Sequence, residues 1–111
     1  MRLYLLSLEK FRCLAKDALI LPSHDLPFHG LHQRIDALGE HHAERLEAAY
    51  EACAEPKTSR ELIPVLFKRQ LDNHQLGFAI GEAMAHANYL VTDGRLRKAR
   101  TNDGIIRYSQ A

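Results

Sequence analysis

The chain has 111 residues, of which 46% are hydrophobic, which suits about one domain with a buried core and argues against disorder. Its formal net charge of +1 excludes a strong overall attraction to nucleic acid or to a membrane surface. Residues 1–6 carry one charge and no small-residue cleavage site, and no apolar run reaches the length of a membrane span. We therefore expect neither a signal peptide nor a membrane partner.

The two cysteines, Cys13 and Cys53, lie far apart in the sequence, and both fall on apolar faces of predicted helices. Their spacing matches no metal-binding motif. We predict two buried, reduced thiols, which are typical of a cytoplasmic protein.

A short helix and a short strand are predicted near the start of the chain. Ser7 is a possible helix cap, with apolar residues following it at helical spacing. The continuous apolar run of residues 18–21 predicts a buried strand, which Pro22 ends. Pro27 and Gly30 then indicate a loop.

Two amphipathic helices are predicted next. The first begins near His32, and because Gly39 weakens its middle, one helix and two shorter helices are both open. Its apolar stripe is Ile35, Leu38, His42, Leu46, Ala49, Tyr50 and Cys53. The second begins at a capping box of Thr58 and Glu61, and Pro64 predicts a kink or a short irregular helix.

A third helix and a hairpin complete the predicted elements. The helix follows a turn at residues 72–74 and ends at residues 93–94, and its apolar stripe is Leu76, Ile80, Ala83, Met84, Ala87, Leu90 and Val91. Strands flank the turn at residues 102–104. Three helices followed by a two-stranded hairpin are the plan of a winged helix-turn-helix domain, in which the hairpin closes the open side of the bundle.

Many winged-helix domains bind DNA by placing the third helix in the major groove. Arg, Lys, Asn or Gln side chains of that helix then contact the edges of the bases. No Lys or Arg occurs between Gln70 and Gly94. The predicted outward positions are Gly77, Gly81, Glu82, Ala85, His86 and Asn88. The hairpin is basic, and its cations are candidate phosphate contacts or simply a solvated face: Arg95, Arg97, Lys98, Arg100 and Arg107. A DNA-binding regulator stays open as an alternative function, although we expect no nucleic-acid partner.

Small residues recur at every fourth position of the third helix, at Gly77, Gly81 and Ala85. Each helical glycine costs about 1 kcal/mol relative to alanine. We interpret the strip as a packing surface, within the bundle or against another domain. Tolerated surface glycines are the alternative.

Five of the seven histidines fall between residues 24 and 42: His24, His29, His32, His41 and His42. His24 follows the predicted strand, which is a place where a metal ligand is held firmly but stays accessible. Zinc needs three or four ligands in fixed geometry, and no His-x-x-x-His or His-Glu-x-x-His pair occurs. Spacing alone therefore predicts no self-contained metal site, and a structural histidine is the alternative.

Five motifs follow one another along the chain. The first three are Tyr4-x-x-Ser7-Leu8-x-x-Phe11, Leu21-Pro22-Ser23-His24-Asp25-x-Pro27 and Arg34-x-x-x-Leu38-x-x-His41-His42-x-x-Arg45. The last two are Thr58-x-x-Glu61-Leu62 and Phe78-Ala79-x-Gly81-Glu82-Ala83-x-Ala85-His86-x-x-Tyr89-Leu90. Together the first three resemble the end of a metallo-β-lactamase-fold hydrolase, and the last two resemble the winged-helix domain that many of these hydrolases carry.

The resemblance implies a mainly α chain in two parts. Residues 1–39 would be a helix-strand remnant of the αββα catalytic domain, and residues 40–111 a winged helix-turn-helix domain. The family's Pro-x-His motif supplies a late ligand to a dinuclear metal site, so His24 is implied to be a metal ligand. The family usually has glycine on both sides of this histidine, and Ser23 and Asp25 depart from that pattern.

The family's His-x-His-x-Asp-His motif does not occur in the sequence. We expect it upstream of Met1, together with the middle histidine and the bridging aspartate. In the intact family, two metals activate a water that attacks an ester, thioester, amide or phosphoester. The resemblance thus implies an accessory part of a zinc-dependent hydrolase, not active alone and without stably bound zinc, whose substrate the sequence does not reveal.

The implied partner is the missing catalytic domain or a second copy of the chain. The predicted strand at residues 18–21 has open edges and an apolar face, and such segments tend to pair with copies of themselves. A homodimer formed through residues 1–21 is therefore predicted, and a homodimerisation module is the third function considered.

Overall fold

The computed structural model describes all 111 residues, and helices dominate it. In chain order the elements are α1 (Arg2–Glu9), a 3-10 helix (Lys10–Cys13), α2 (Leu31–Ala52), α3 (Ser59–Leu66), α4 (Asn73–Thr92), β1 (Leu96–Arg100) and β2 (Ile106–Gln110). The chain forms two compact units, Met1–Ala43 and Glu44–Ala111. The protein is therefore mainly α, with one small antiparallel sheet.

The first helix forms, but its predicted cap is wrong. α1 begins at Arg2, and Ser7 lies inside it, where its Oγ donates to the carbonyl oxygen of Tyr4 at 2.6 Å. The following 3-10 helix buries none of its residues, so Cys13 is exposed rather than buried. The prediction for Cys53 is confirmed: it is a free, fully buried cysteine, and burial raises the pKa of its thiol.

The predicted buried strand at residues 18–21 does not form. Ile20 alone pairs, with Phe28 across the loop, through two backbone hydrogen bonds of 2.7 and 3.0 Å. Leu19 and Leu21 are 56% and 73% exposed. A strand needs a partner along its whole length to satisfy its backbone groups, and this chain offers a partner to one residue only.

Of the two alternatives at Gly39, the break into two helices is wrong, because α2 is one helix of 22 residues. Gly39 is exposed, and a Cβ there would meet no atom within 4 Å. Gly39 therefore destabilises the helix only by the low helix propensity of glycine, about 1 kcal/mol relative to alanine. A long amphipathic helix remains stable despite this loss. Leu46, Ala49 and Cys53 are buried on the predicted stripe.

Both helices that follow begin with a capping box. The Thr58 hydroxyl accepts from the Glu61 amide at 3.2 Å, while the Glu61 carboxylate accepts from the Thr58 amide at 3.0 Å. Asp72 and Gln75 make the equivalent bonds at 2.8 and 3.1 Å before α4. These bonds satisfy amides that a helix start leaves without partners. α3 has eight residues and ends shortly after Pro64, so the predicted short helix is confirmed.

The predicted hairpin is present, with Lys98 opposite Tyr108 and Gly104 in the turn at φ +81°. A third segment joins it, because Lys57 and Tyr108 exchange two backbone hydrogen bonds of 2.9 and 2.7 Å. The amide of Gln110 also donates to the carbonyl of Cys53 at 3.0 Å. The hairpin is thus tied to the chain just before α3 and just after α2.

The core of Glu44–Ala111 is built from alanines on α4 and larger side chains around them. The buried residues of α4 are Ala79, Ala83, His86, Ala87 and Leu90. α3 packs against this helix and buries Leu62, Ile63 and Leu66. The predicted stripe of α4 is partly wrong, since Met84 is 45% exposed.

The close-packing strip of α4 lies on a different face from the one predicted. Ala79, Ala83 and Ala87 are at most 2% exposed, whereas Gly77 and Gly81 are exposed and a Cβ on either would meet no atom within 4 Å. Packing of the glycine strip within the bundle is therefore wrong. Alanine serves the buried face because it allows close approach without the backbone entropy cost of glycine.

Candidate functional site

His24, the predicted metal ligand, lies in a short exposed loop whose ends the Ile20–Phe28 bridge brings together. Asp25 follows it at φ +68°, in the left-handed region that favours glycine. Aspartate is one of the few other residues that tolerate this region. Asp25 therefore adopts a backbone conformation that glycine reaches more readily.

Two other histidines of the cluster hold this region together rather than forming a site. His29 contacts the carbonyl oxygen of Asp17 through Nδ1 at 2.8 Å, and His32 contacts that of Leu14 through Nε2 at 2.9 Å. A neutral imidazole donates one such bond while its other nitrogen accepts. These contacts tie residues 14–17 to the start of α2.

The paired histidines form part of a ring cluster on α2. The rings of His41 and His42 lie 6.0 Å apart between centroids, and Tyr4 stands edge-on to His42 at 6.1 Å. Edge-to-face packing of this kind stabilises aromatic contacts modestly. Of the two, His42 contacts Tyr4, and neither lies in a group of side chains arranged to hold a metal ion, so we assign neither as a metal ligand.

Two of the five hairpin cations are held by carboxylates. Arg95 pairs with Glu47 at 2.9 Å and lies over the ring of Tyr50 at 4.2 Å from its centroid. Arg107 pairs with Asp103 at 2.9 Å. Both arginines therefore have structural contacts within the unit.

The other three hairpin cations are exposed and contact only neutral groups. Arg97 reaches the Ser109 hydroxyl at 3.4 Å, and Lys98 reaches the Asn88 side chain at 3.3 Å. Arg100 donates to the carbonyl of Gly104 at 2.6 Å. Their charges remain available to an anion, which leaves the phosphate-contact prediction for these three residues open.

The exposed face of α4 is apolar and acidic. Gly77, Gly81 and Glu82 are exposed as predicted, but the outward position assigned to His86 is wrong: it is fully buried, with Nδ1 2.7 Å from the Glu82 carbonyl. Phe78, by contrast, is 70% exposed. The helix contains no Lys or Arg.

Phe78 borders a cleft of about 220 Å³ that sequence periodicity did not reveal. Its lining is Phe67, Arg69, Leu71, Gln75, Phe78, Ala79 and Glu82. His74 stands edge-on to Phe78 at 5.2 Å, and Arg45 lies over Phe67 at 4.7 Å from its centroid. In the sequence, the one signal of this cleft was that Phe78 falls outside the predicted apolar stripe of the helix.

Comparison with known proteins places the chain in a family. The family described as "Metallo-beta-lactamase-like, C-terminal domain" matches residues 46–111, more than half of the chain. The chain belongs to this family. The resemblance seen in the five motifs is thereby confirmed.

Two solved structures extend the metallo-β-lactamase likeness to nearly the whole chain. A beta-lactamase domain protein from Burkholderia ambifaria is 46% identical, with a TM-score of 0.95 over 99% of this chain and 33% of its own. A metallo-beta-lactamase family protein from Thermus thermophilus is 31% identical, with a TM-score of 0.79 over 97% of this chain and 32% of its own. The chain spans about a third of each relative. No curated protein sequence matches it significantly.

The residues of this chain do not by themselves fit a metallo-β-lactamase metal centre. No group of three or more His, Cys, Asp or Glu side chains is arranged to hold a metal ion. A zinc site needs three or four such ligands, supported by further hydrogen bonds. His24 is thus a single candidate ligand.

None of the helices combines the length and apolarity that a membrane span requires.

Proposed function

We propose that this chain is the accessory C-terminal part of a metallo-β-lactamase-fold, metal-dependent hydrolase, and that it is not active alone. The observation that carries the proposal is the match to the Burkholderia ambifaria protein, which includes almost all of this chain but only a third of that protein. Function belongs to a site rather than to a fold, and the residues here supply at most one ligand of such a site.

We also propose that residues 40–111 form a winged-helix domain, which includes the compact unit Glu44–Ala111. Three helical segments precede the hairpin, and the Lys57–Tyr108 bridge adds a third short segment to its sheet. This arrangement supports the assignment, because it closes the bundle on the side that the helices leave open.

His24 is proposed to donate one metal ligand to a site that residues outside this chain complete. Three observations support the role: the side chain is exposed, the bridge at Ile20 and Phe28 closes its loop, and Asp25 keeps the left-handed turn. A ligand on a loop with fixed ends has its imidazole oriented before the metal arrives.

The test measures zinc content and hydrolysis of ester, thioester and phosphoester probes by the purified chain. We expect no turnover and no stoichiometric, tightly bound zinc, because one imidazole binds the metal weakly. Tight zinc together with turnover that His24→Ala abolishes would contradict the proposal. His74→Ala is the matched control, since it removes another exposed histidine from a different part of the chain.

A winged-helix DNA-binding regulator is the second candidate, and one observation favours it. Arg97, Lys98 and Arg100 are exposed and have no carboxylate partner. The apolar and acidic outer face of α4 weighs against it, because that helix would have to meet phosphates and base edges.

A further inference from the structure

We propose that the cleft beside Phe78 binds a small aromatic zwitterion, of which an aromatic amino acid is the simplest example. This goes beyond the proposed function, because it concerns a small-molecule site whose residues all belong to Glu44–Ala111. The cleft measures about 220 Å³, which is less than the roughly 300–1,000 Å³ of sites for drug-sized ligands. A ligand of amino-acid size therefore suits it.

Two aromatic side chains line the cleft without contacting each other. The Arg45 guanidinium lies over Phe67 at 4.7 Å from the ring centroid, and His74 stands edge-on to Phe78 at 5.2 Å. Phe78 is nonetheless 70% exposed, so most of its ring surface meets water. Aromatic rings attract each other edge-on or offset at about 4.5–7 Å between centroids. The space between two rings that do not touch therefore suits a third ring.

Two opposite charges also line the cleft, and neither is paired. The Arg69 guanidinium and the Glu82 carboxylate belong to exposed residues, and neither forms a hydrogen bond or an ion pair, with the other or with the rest of the chain. A ligand with one charge is attracted by one of these groups and repelled by the other. A ligand that carries both an anion and a cation is attracted by both. The phosphate of a nucleotide, by contrast, is repelled by Glu82.

Gln75 adds a neutral hydrogen-bond donor to the same cleft. Its Oε1 accepts from the Asp72 amide at 3.1 Å in the capping box of α4, and this bond holds the side chain in place. Its Nε2 makes no hydrogen bond in the structure and is available to a ligand carboxylate. A mostly apolar cleft with a few fixed polar groups is the usual composition of a small-molecule site.

Nuclear magnetic resonance titrations of the isotope-labelled chain test the site with matched probes. These are L-phenylalanine, phenylpropionate, which lacks the ammonium group, and phenethylamine, which lacks the carboxylate. We expect saturable shifts at the backbone amides of the cleft residues, with a Kd of about 1 mM for L-phenylalanine. Removal of either ligand charge should weaken binding by about threefold to fivefold, the range of exposed ion pairs.

Substitutions assign each ligand charge to its contact. Arg69→Gln should abolish the advantage of phenylalanine over phenethylamine and keep its advantage over phenylpropionate, whereas Glu82→Gln should do the reverse. Lys68→Gln and Glu51→Gln are the matched controls, since they make the same charge changes at exposed residues outside the cleft and should alter neither ratio. Phe78→Leu keeps an apolar side chain but removes the ring, and should weaken all three probes by about fivefold.

Four results would overturn the proposal. The first is the absence of saturable shifts in the folded chain at phenylalanine concentrations about twentyfold above the expected Kd. The second is equal binding of the three probes, which would show an apolar groove without charge recognition. The third is tighter binding of adenosine monophosphate than of phenylalanine. The fourth is an equal change of the probe ratios in Arg69→Gln and Lys68→Gln, which would place the effect in the overall charge of the protein and not in the cleft.

Discussion

At the scale of single residues, Asp103 organises the hairpin turn. Its carboxylate accepts hydrogen bonds from the Thr101 hydroxyl, from the Ile105 amide and from Arg107. These three donors, with Thr101 contributing most, lower the pKa of Asp103 to about 2. The arrangement fixes the exposed turn of the hairpin.

The lowered pKa of Asp103 predicts a loss of stability in acid. Its contribution is fully present above the ordinary aspartate pKa, near 3.9, and disappears as the pH falls through the folded value of about 2. The melting temperature should therefore fall between about pH 4 and pH 2. Asp103→Asn should flatten this part of the curve. Glu55→Gln, an exposed carboxylate without these contacts, should leave it unchanged; an equal effect of both variants would refute the assignment.

His24 and Asp25 show at the same scale how a departure from a family pattern is accommodated. The family's usual glycine is replaced by aspartate, yet the residue adopts φ +68°. Aspartate tolerates this region because its short polar side chain can interact with its own backbone. The departure therefore does not argue against the loop that presents His24.

At the scale of elements, α4 has two faces of opposite character. One face buries alanines against α3, and the other carries Gly77 and Gly81 in open space. Sequence spacing identifies both strips of small residues equally well. Only the contacts distinguish the packed strip from the exposed one.

A pair of substitutions tests which face of α4 packs. Ala83→Leu, at a position with no exposed surface, should lower the free energy of unfolding by about 1–3 kcal/mol through overpacking. Gly81→Ala should raise it by up to about 1 kcal/mol, since a Cβ there meets no atom and alanine is the better helix former. Urea denaturation measures both. The reverse order of the two variants would show that the glycine strip is the packed face.

The hairpin belongs to the same scale, and its cations predict the outcome of a DNA titration. We expect no binding of duplex DNA at low salt, because α4 offers no cation to the major groove and three exposed charges on one strand neutralise few phosphates. Salt-dependent binding in a fluorescence titration would favour the regulator instead. In that case, a variant that combines Arg97→Ala, Lys98→Ala and Arg100→Ala should lose the DNA binding. Arg95→Ala, which removes a cation already paired with Glu47, serves as its control.

At the scale of the whole molecule, the two units differ in how much of their apolar surface they bury. Glu44–Ala111 buries a core and ties its hairpin to Lys57 and Cys53. Met1–Ala43 leaves five leucines more than half exposed, namely Leu3, Leu6, Leu19, Leu21 and Leu26. The family match likewise begins at residue 46, within Glu44–Ala111. The contrast agrees with the proposal that this chain is the accessory part of a larger hydrolase.

Local features were predictable from the sequence because their causes lie within a few residues. The capping box of Thr58, the end of α4 at Gly94 and the hairpin turn each depend on side-chain and backbone chemistry within one turn of chain. The order of the five motifs also sufficed to identify the family. None of these conclusions needed a contact between distant parts of the chain.

Tertiary structure alone decided the features whose partners lie far away in sequence. Burial of His86 and of the alanine strip depends on the elements that pack against α4, among them α3 and β1. Residues 18–21 have the composition of a strand, but a strand exists only where a neighbour completes its hydrogen bonds, and here Phe28 completes one pair. The sequence by itself therefore determined the family and the local elements. Packing decided which helix faces are buried. Backbone pairing decided that His24 lies in a loop closed by a single bridge and not beside a strand.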